Sequence, residues 1–199
     1  MAADPEHTAR KWDAQDIKGA IGKICTGPIG KTIESFDTSG YEEMKRLHEF
    51  LLPDYTVLEF GGGIGRIAKH VAPLTKKMIV VDISSQMIKL GRDIWCKDIP
   101  NIEWVQNLYN IPLNDNSVDF AYSLVVFLHL RTESRDAVHW LGEMCRVLKP
   151  GGYIVIGDII QIDPVQDLEF VESKKKYPDL PNDKAVLTIL RKGDLCEDT

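Results

Sequence analysis

The residues with the clearest chemical potential are the glycines of VLEFGGGIG, the stretch that covers residues 57–65. Gly61, Gly62, Gly63 and Gly65 directly follow a short apolar run. Glycine loses more backbone entropy on folding than other residues but adopts conformations that they avoid, so a cluster of glycines lets a ligand lie against the main chain. The stretch therefore predicts a binding site where a strand turns into a helix.

Further side chains that could take part in chemistry follow neighbouring apolar runs. Asp82 comes after MIVV at residues 78–81, and a carboxylate at the end of such a strand can accept both hydroxyls of a ribose. His129 comes after the apolar run at residues 118–126. Because imidazole gains and loses a proton near neutral pH, His129 is the candidate general base, with Asp158 as a lesser candidate. The alternative for His129 is a packing role in the following loop.

The elements that must position these residues alternate along the chain. Apolar runs predict five strands, at residues 57–60, 78–81, 102–105, 118–126 and 153–156. Helical spacing of apolar residues predicts helices at residues 64–74, at 84–95, and from Thr132 or Ser134 to about 148. This order predicts an α/β fold, a doubly wound and mostly parallel sheet with helices on both faces. In such a sheet ligands bind beyond the carboxyl ends of the strands, where the glycines and Asp82 would meet.

The two ends of the chain give weaker patterns. Residues 1–40 are expected to form an N-terminal extension or cap, followed by a helix over 41–52. At the other end, residues 164–171 predict a helix and 185–190 a strand, and the basic run 174–176 reads as loop. With one strand recognisable there, a C-terminal strand pair would be shortened. We expect a single domain, with a cofactor-binding core at 41–160 that is completed by 161–199.

Composition limits the partners. The 199 residues have a formal net charge of −6 and no basic stripe interleaved with aromatic residues, which argues against a nucleic-acid partner. No apolar run is long enough to span a bilayer and no secretory signal is recognised, so we expect no membrane partner and a cytoplasmic location. The four scattered cysteines form no CxxC pair, so no metal site is expected. The chain would be a monomer or a homodimer.

The glycine loop by itself leaves two classes of cofactor open. Counted from Gly61 it is GGGIGR, with Arg66 where the dinucleotide fingerprint requires glycine or alanine. Counted from Gly63 it is GIGRIA, which matches the fingerprint but leaves Gly61 and Gly62 inside the strand. A ribose-binding carboxylate such as Asp82 occurs with both nicotinamide and methyl-donor cofactors.

Five segments in order decide between them: VLEFGGGIG, VVDISSQM, EWVQNLYNIPL, SVDFAYSLVVFLHL and EMCRVLKPGGYIVIGD. Over roughly residues 41–160 the chain resembles the class I S-adenosylmethionine-dependent methyltransferases. The resemblance implies a Rossmann-like methyltransferase fold that binds S-adenosyl-L-methionine and releases S-adenosyl-L-homocysteine.

The resemblance also assigns residues to the adenosine half of the cofactor. Asp82 would bind the ribose hydroxyls, and Ile83 would flank the adenine. Asn107 occupies the position of an aspartate that usually accepts from the adenine amino group, and its carbonyl can still accept. Leu108 would follow with its backbone N–H near the adenine ring. Gln106 stands where glycine is common.

The methionine half would be bound by the first and fourth strands. Glu59 matches the acidic residue that helps to place the methionine end. Gly61, Gly63 and Gly65 match the glycines on which the cofactor lies. Ser123 matches the position whose backbone carbonyl meets the methionine amino group.

Methyl transfer from a sulfonium is an in-line displacement that needs positioning and exclusion of water. We expect a nitrogen or oxygen nucleophile of a small molecule as acceptor, a peptide end also being compatible. His129 would act as base where the acceptor must lose a proton, and no metal is required. The alternatives are an NAD-dependent oxidoreductase on a Rossmann sheet and a non-catalytic protein that binds S-adenosylmethionine.

Overall fold

The computed structural model describes residues 4–24, 32–130, 135–157, 167–175 and 186–193. The helices are α1 (Pro5–Trp12), α2 (Ile17–Ile24), α3 (Ile33–Leu47), α4 (Ala68–Val71), α5 (Ser85–Leu90) and α6 (Arg135–Val147). The strands are β1 (Thr56–Phe60), β2 (Lys77–Asp82), β3 (Ile102–Gln106), β4 (Val118–Leu124), β5 (Leu148–Gly157), β6 (Leu168–Lys175) and β7 (Val186–Lys192). The chain divides into two compact units, Met1–Pro112 and Leu113–Thr199.

The first unit contains three parallel strands. β2 pairs with β1 on one side and with β3 on the other, in parallel registers that include Leu58 opposite Ile79 and Val80 opposite Trp104. Residues 57–60 of β1 and 78–82 of β2 are all buried, as the inner strands of a parallel sheet require. Because the strands are parallel, the residues that follow them meet at one edge.

Helices that the sequence did not predict begin the first unit. Asp4 caps α1 by accepting from the backbone N–H of Glu6 at 3.1 Å. Ala20 and Ile21 of α2 are buried in one apolar cluster with residues from α3, the glycine loop and α5. The N-terminal cap expected from the sequence is therefore helical and contributes to the core of this unit.

Three helices of the first unit differ from the prediction. α5 ends at Leu90, and the rest of the helix predicted over 84–95 is a π-helical turn at Gly91–Trp95. α3 begins at Ile33 rather than 41, because Thr32 and Ser35 form a capping box, and it continues into a 3-10 turn at His48–Phe50. The helix predicted over 64–74 is shorter. Residues 64–67 form turns, α4 covers only Ala68–Val71, and a 3-10 turn containing a proline completes it at Ala72–Leu74.

The second unit combines parallel and antiparallel strands. β4 and β5 are parallel, whereas β7 pairs antiparallel with both β5 and β6. The register between β4 and β5 shifts from Val118 opposite Leu148 to Phe120 opposite Tyr153, which accommodates the KPGG segment inside β5. Lys192 of β7 donates to the carbonyl oxygens of Cys145 and Leu148 at 2.9 and 2.8 Å, and so fixes the end of α6.

The expectation of a shortened C-terminal strand pair is wrong, because β6 and β7 pair over their whole lengths. The predicted helix is wrong over residues 168–171, which belong to β6, and residues 164–166 lie outside the described part of the chain. The loop predicted for the basic run is wrong at Lys174, which pairs with Leu187 in the sheet. β6 pairs on one side only and is largely exposed, so its sequence lacks the apolar run of an inner strand.

The predicted α/β fold is confirmed, since parallel strands alternate with helices in both units. The predicted start of α6 at residues 132–134 lies outside the described residues. The single-domain organisation stays a prediction. Among the described residues, none of the helices has the length and apolar character needed to cross a membrane.

Candidate active site

The glycine loop that follows β1 has a backbone that only glycine adopts readily. Gly61, Gly63 and Gly65 have φ angles of 73°, 57° and 80°, all in the left-handed region. At Gly65 a side chain is also excluded by packing, because a Cβ atom there would lie 2.8 Å from the indole ring of Trp104. The N–H of Gly61 donates to the carbonyl oxygen of Val81 at 2.7 Å, which joins the loop to the end of β2.

Asp82 lies at the carboxyl end of β2 and is bonded to this loop. Its Oδ2 accepts from the N–H of Gly63 and its Oδ1 from the N–H of Ser84, both at 2.8 Å. Each carboxylate oxygen can accept a second hydrogen bond. The predicted ribose-binding residue is therefore oriented by the glycine loop and by the segment that follows β2, and its carboxylate keeps acceptor capacity for a ligand.

The surroundings of Asp82 act on the pKa of its carboxyl in opposite directions. Burial raises the pKa of the Asp82 carboxyl to about 6, although the backbone N–H groups of Ser84, Gly63 and Ile83 act to lower it. Asp13, which follows α1, raises it further and also accepts from the hydroxyl of Ser84 at 2.7 Å. Asp82 is thus mainly ionised at neutral pH and becomes protonated in mild acid. Sequence reasoning missed the contact of Asp13, because nothing in the sequence relates residues so far apart.

Asn107 follows β3 at the same edge of the sheet. Its N–H donates to the carbonyl oxygen of Asp82 at 3.1 Å, and its side chain is 3% exposed. The Oδ1 atom of Asn107 is buried and accepts no hydrogen bond within the described residues. A buried unsatisfied acceptor costs about 1–3 kcal/mol. This unsatisfied acceptor is consistent with the adenine-binding role predicted for Asn107, and that role stays a prediction.

Ile83 and Leu108 flank these two polar residues. Gln106 donates through Nε2 to the carbonyl oxygen of Ile83 at 3.0 Å, so the side chain found where glycine is common ties β3 to the segment after β2. Both Ile83 and Leu108 are half-buried. Their contacts with a cofactor stay predictions.

Glu59 is buried within β1 and holds the start of α4. Its Oε2 accepts from the N–H of Ala68 at 3.1 Å. An acidic group at this place satisfies one of the unpaired N–H groups of a helix start and complements the helix dipole. Its role in placing the methionine end stays a prediction.

Ser123 and His129 belong to the second unit. Ser123 is fully buried near the end of β4, opposite Ile156. His129 is exposed and ends a 3-10 turn at Phe127–His129. Between them Val125 has a φ of 64°, an unusual value for a β-branched residue that the sequence did not predict. The roles of Ser123 and His129 stay predictions, and Asp158 lies outside the described residues.

Comparison with known proteins is consistent with this arrangement. Residues 58–156 match a family model described as a methyltransferase domain. Phosphoethanolamine N-methyltransferase 1 of Triticum aestivum is 31% identical over 119 residues, which are 53% of this chain and 22% of that protein. The ubiquinone/menaquinone biosynthesis C-methyltransferase UbiE of Pseudomonas fluorescens is 35% identical over 106 residues, 50% of this chain and 40% of that protein.

A solved structure extends the similarity over almost the whole chain. Phosphoethanolamine N-methyltransferase 1 of Haemonchus contortus, in complex with phosphoethanolamine and S-adenosylhomocysteine, matches with a TM-score of 0.69. The match covers 98% of this chain and 48% of that one at 13% identity, so it shows the fold alone. The chain spans about half or less of the length of the first curated relatives that it matches.

Proposed function

Because this chain belongs to the class I S-adenosylmethionine-dependent methyltransferases, a family of enzymes whose cofactor is S-adenosylmethionine, we propose that it transfers a methyl group to a small molecule. The acceptor atom is a nitrogen or an oxygen. The observation that carries the proposal is the pair of polar residues that follow β2 and β3. The two oxygens of Asp82 are oriented by Gly63 and Ser84, and the Oδ1 of Asn107 lacks a partner among the described residues.

The residues of this edge fit the adenosine half of the cofactor. Asp82 accepts from the ribose hydroxyls through the acceptor capacity that its carboxylate keeps, and Asn107 accepts from the adenine amino group. Ile83 and Leu108 flank the ring. The bare main chain of Gly61, Gly63 and Gly65 and the side chain of Glu59 serve the methionine half, together with the backbone carbonyl of Ser123.

S-adenosylmethionine supplies a methyl group that is already activated on a sulfonium. The protein's contribution is to hold the acceptor in line with that methyl group and to exclude water. His129 accepts the proton of an acceptor that must lose one, and its exposure leaves the imidazole accessible. A peptide end as acceptor is the second candidate among nucleophiles. A carbon nucleophile is the third, because proteins named as C-methyltransferases are among the relatives.

Thermal unfolding with added ligand tests cofactor choice. S-adenosylhomocysteine at about 100 times its Kd should stabilise the protein by about 2.7 kcal/mol, whereas NAD should not. Stabilisation by NAD alone would favour the oxidoreductase alternative and contradict the proposal.

Transfer of a labelled methyl group tests activity. The panel of acceptors should contain phosphoethanolamine, other small amines, phenols, quinols and short peptides. Labelling of an amine or phenol supports the proposal. Tight binding of S-adenosylhomocysteine without labelling of any acceptor would indicate a non-catalytic binding protein. Sedimentation with and without the cofactor distinguishes a monomer from a homodimer.

A further inference from the structure

Arg66, directly after the glycine loop, is a buried cation that has no anion among the described residues. Arg66 is 7% exposed, and its Nη1 donates to the hydroxyl of Ser39 at 3.1 Å. No carboxylate of the described chain forms an ion pair with it. The remaining residues of the first unit, 1–3 and 25–31, have the sequences MAA and CTGPIGK and contain no acidic side chain. The carboxylates of the first unit that the structure describes, among them Asp37 and Glu43, either form ion pairs with other cations or form none with Arg66.

The position of Arg66 is fixed by close packing against α3. A Cβ atom at Gly40 would collide with the carbonyl oxygen of Arg66 and would lie 3.1 Å from its Cγ. Ser39, the neighbour of Gly40, provides the hydroxyl that accepts a hydrogen bond from the guanidinium. The hydroxyl in turn donates to the carbonyl oxygen of Phe36 at 2.7 Å. The Arg66 side chain is thus held in place by contacts with neutral groups.

The acidic side chains of α3 close to Gly40 are bonded to other cations, including the buried Glu43, whose Oε2 lies 3.7 Å from the Nη1 of Arg46. Asp37 accepts from Lys69 at 2.7 Å and lies 3.2 Å from the Nε2 of His70. Glu42 pairs with Lys45 at 2.7 Å. Arg66 consequently remains without an ion pair although it lies close to an acidic helix.

A guanidinium has five N–H donors, and the described protein uses one nitrogen of Arg66. Arg66 keeps 7% of its surface exposed, so part of its side chain is accessible from solvent. Burying a charge is unfavourable unless an opposite charge compensates it. A preoriented guanidinium that is mostly buried but still accessible is suited to a planar anion that it can bind with two hydrogen bonds.

We propose that Arg66, supported by Ser39, binds the carboxylate of a ligand beside the glycine loop. The inference rests on the proposed function, because the ligand is a component of the methyl-transfer reaction. Two sources of the carboxylate are compatible with this chemistry. One is the amino-acid end of the cofactor, and the other is an acidic acceptor.

The test compares two nucleosides in titration calorimetry. S-adenosylhomocysteine has the carboxylate, whereas decarboxylated S-adenosylhomocysteine keeps the amine and lacks the carboxylate. Arg66→Met, which keeps the length of the side chain and removes the charge, should bind S-adenosylhomocysteine about 10- to 100-fold more weakly and the decarboxylated compound unchanged. Arg66→Lys should show an intermediate loss, because a lysine keeps the charge without the fork. Arg92→Met is the matched control, since Arg92 is exposed and pairs with Asp93.

The second arm asks whether an acidic acceptor is the source. If both nucleosides bind Arg66→Met as they bind the wild type, sodium acetate should raise the Tm of the wild-type complex with S-adenosylhomocysteine, against sodium chloride of equal ionic strength. Arg66→Met should lose that increase. The ligand-free Tm of Arg66→Met should equal or exceed that of the wild type.

Several results would overturn the inference. The first is that Arg66→Met weakens the binding of both nucleosides equally. The second is that Arg66→Met and Arg66→Lys both have a lower ligand-free Tm than the control. The third is that Arg66→Met changes neither nucleoside binding nor the effect of acetate. If the wild type binds neither nucleoside, the proposed function is contradicted instead. The effect of sodium acetate on the Tm of the ligand-free wild type and of Arg66→Met then tests whether Arg66 binds a carboxylate.

Discussion

Protonation of Asp82 should control cofactor binding in mild acid. Burial raises the pKa of this carboxyl to about 6 from its ordinary value of 3.8. A ribose needs two acceptors, and a protonated carboxyl turns one of its oxygens into a donor. If the ionised form binds, about nine tenths of the ligand-free protein is competent at pH 7 and about one tenth at pH 5. The Kd for S-adenosylhomocysteine should therefore rise about tenfold from pH 7 to pH 5.

Stability of the ligand-free protein should change with pH in the opposite sense. Because the folded pKa lies above the unfolded one, the Asp82 contribution is most favourable below pH 3.8 and is lost as pH rises to about 6. A difference of about two units corresponds to about 3 kcal/mol. Relative to Asp82→Asn, the ligand-free wild type should lose stability across this range while it gains affinity for the ligand.

The assay is titration calorimetry with S-adenosylhomocysteine from pH 5 to pH 8, paired with denaturant unfolding of the ligand-free protein. Asp82→Asn should bind about 10- to 100-fold more weakly at pH 7.5, and its Kd should vary little with pH. Asp93→Asn serves as a control, since Asp93 is exposed and Arg92 lowers the pKa of its carboxyl. A wild-type Kd that is constant from pH 7.5 to pH 5, or the same pH profile in Asp82→Asn, would refute the reasoning.

Three further substitutions test other parts of the site. Asn107→Leu should abolish the preference, measured by calorimetry, for S-adenosylhomocysteine over its inosine analogue, which lacks the amino group. An equal preference in wild type and variant would contradict the role of Asn107 in binding the adenine amino group. Gly65→Ala should lower stability to denaturant by about 1–3 kcal/mol, because φ is positive and Trp104 occupies the space; Gly22→Ala, with no atom near its Cβ, should not lower it. His129→Asn should slow methyl transfer by about 10²–10⁴ and leave the Kd for S-adenosylhomocysteine unchanged, whereas equal turnover would make His129 structural.

The edge that contains Gly61 and Asp82 was predictable because these residues follow inner strands. The runs before Gly61 and Asp82 are continuously apolar, as strands covered on both faces must be, so their ends could be located from the sequence. Parallel pairing then brings the ends together. The hydrogen bond from Gly63 to Asp82 is a direct consequence of that geometry.

Elements that depend on contacts distant in sequence escaped prediction. α2 is short, and its place in the core depends on apolar partners in α3 and α5. β6 is largely exposed, so its charged residues resemble those of a loop. The burial of Arg66 arises from Gly40, which lets α3 approach its main chain. A sequence pattern reports periodicity within one segment and contains no information on which segment packs against another.

Asp82, Asn107 and Arg66 share one energetic property. Each is at most 8% exposed, and each keeps hydrogen-bonding capacity that the described protein does not use. Groups of this kind lower the stability of a ligand-free protein, because their hydration is lost without full replacement. A ligand that supplies the missing partners would recover this free energy in the bound state. Ribose hydroxyls, an adenine amino group and a carboxylate are chemically different, yet one nucleoside amino acid contains all three. If Arg66→Met and Asn107→Leu both raise ligand-free stability while both weaken binding, these two residues serve the same ligand. If only one variant does so, the two residues serve separate purposes.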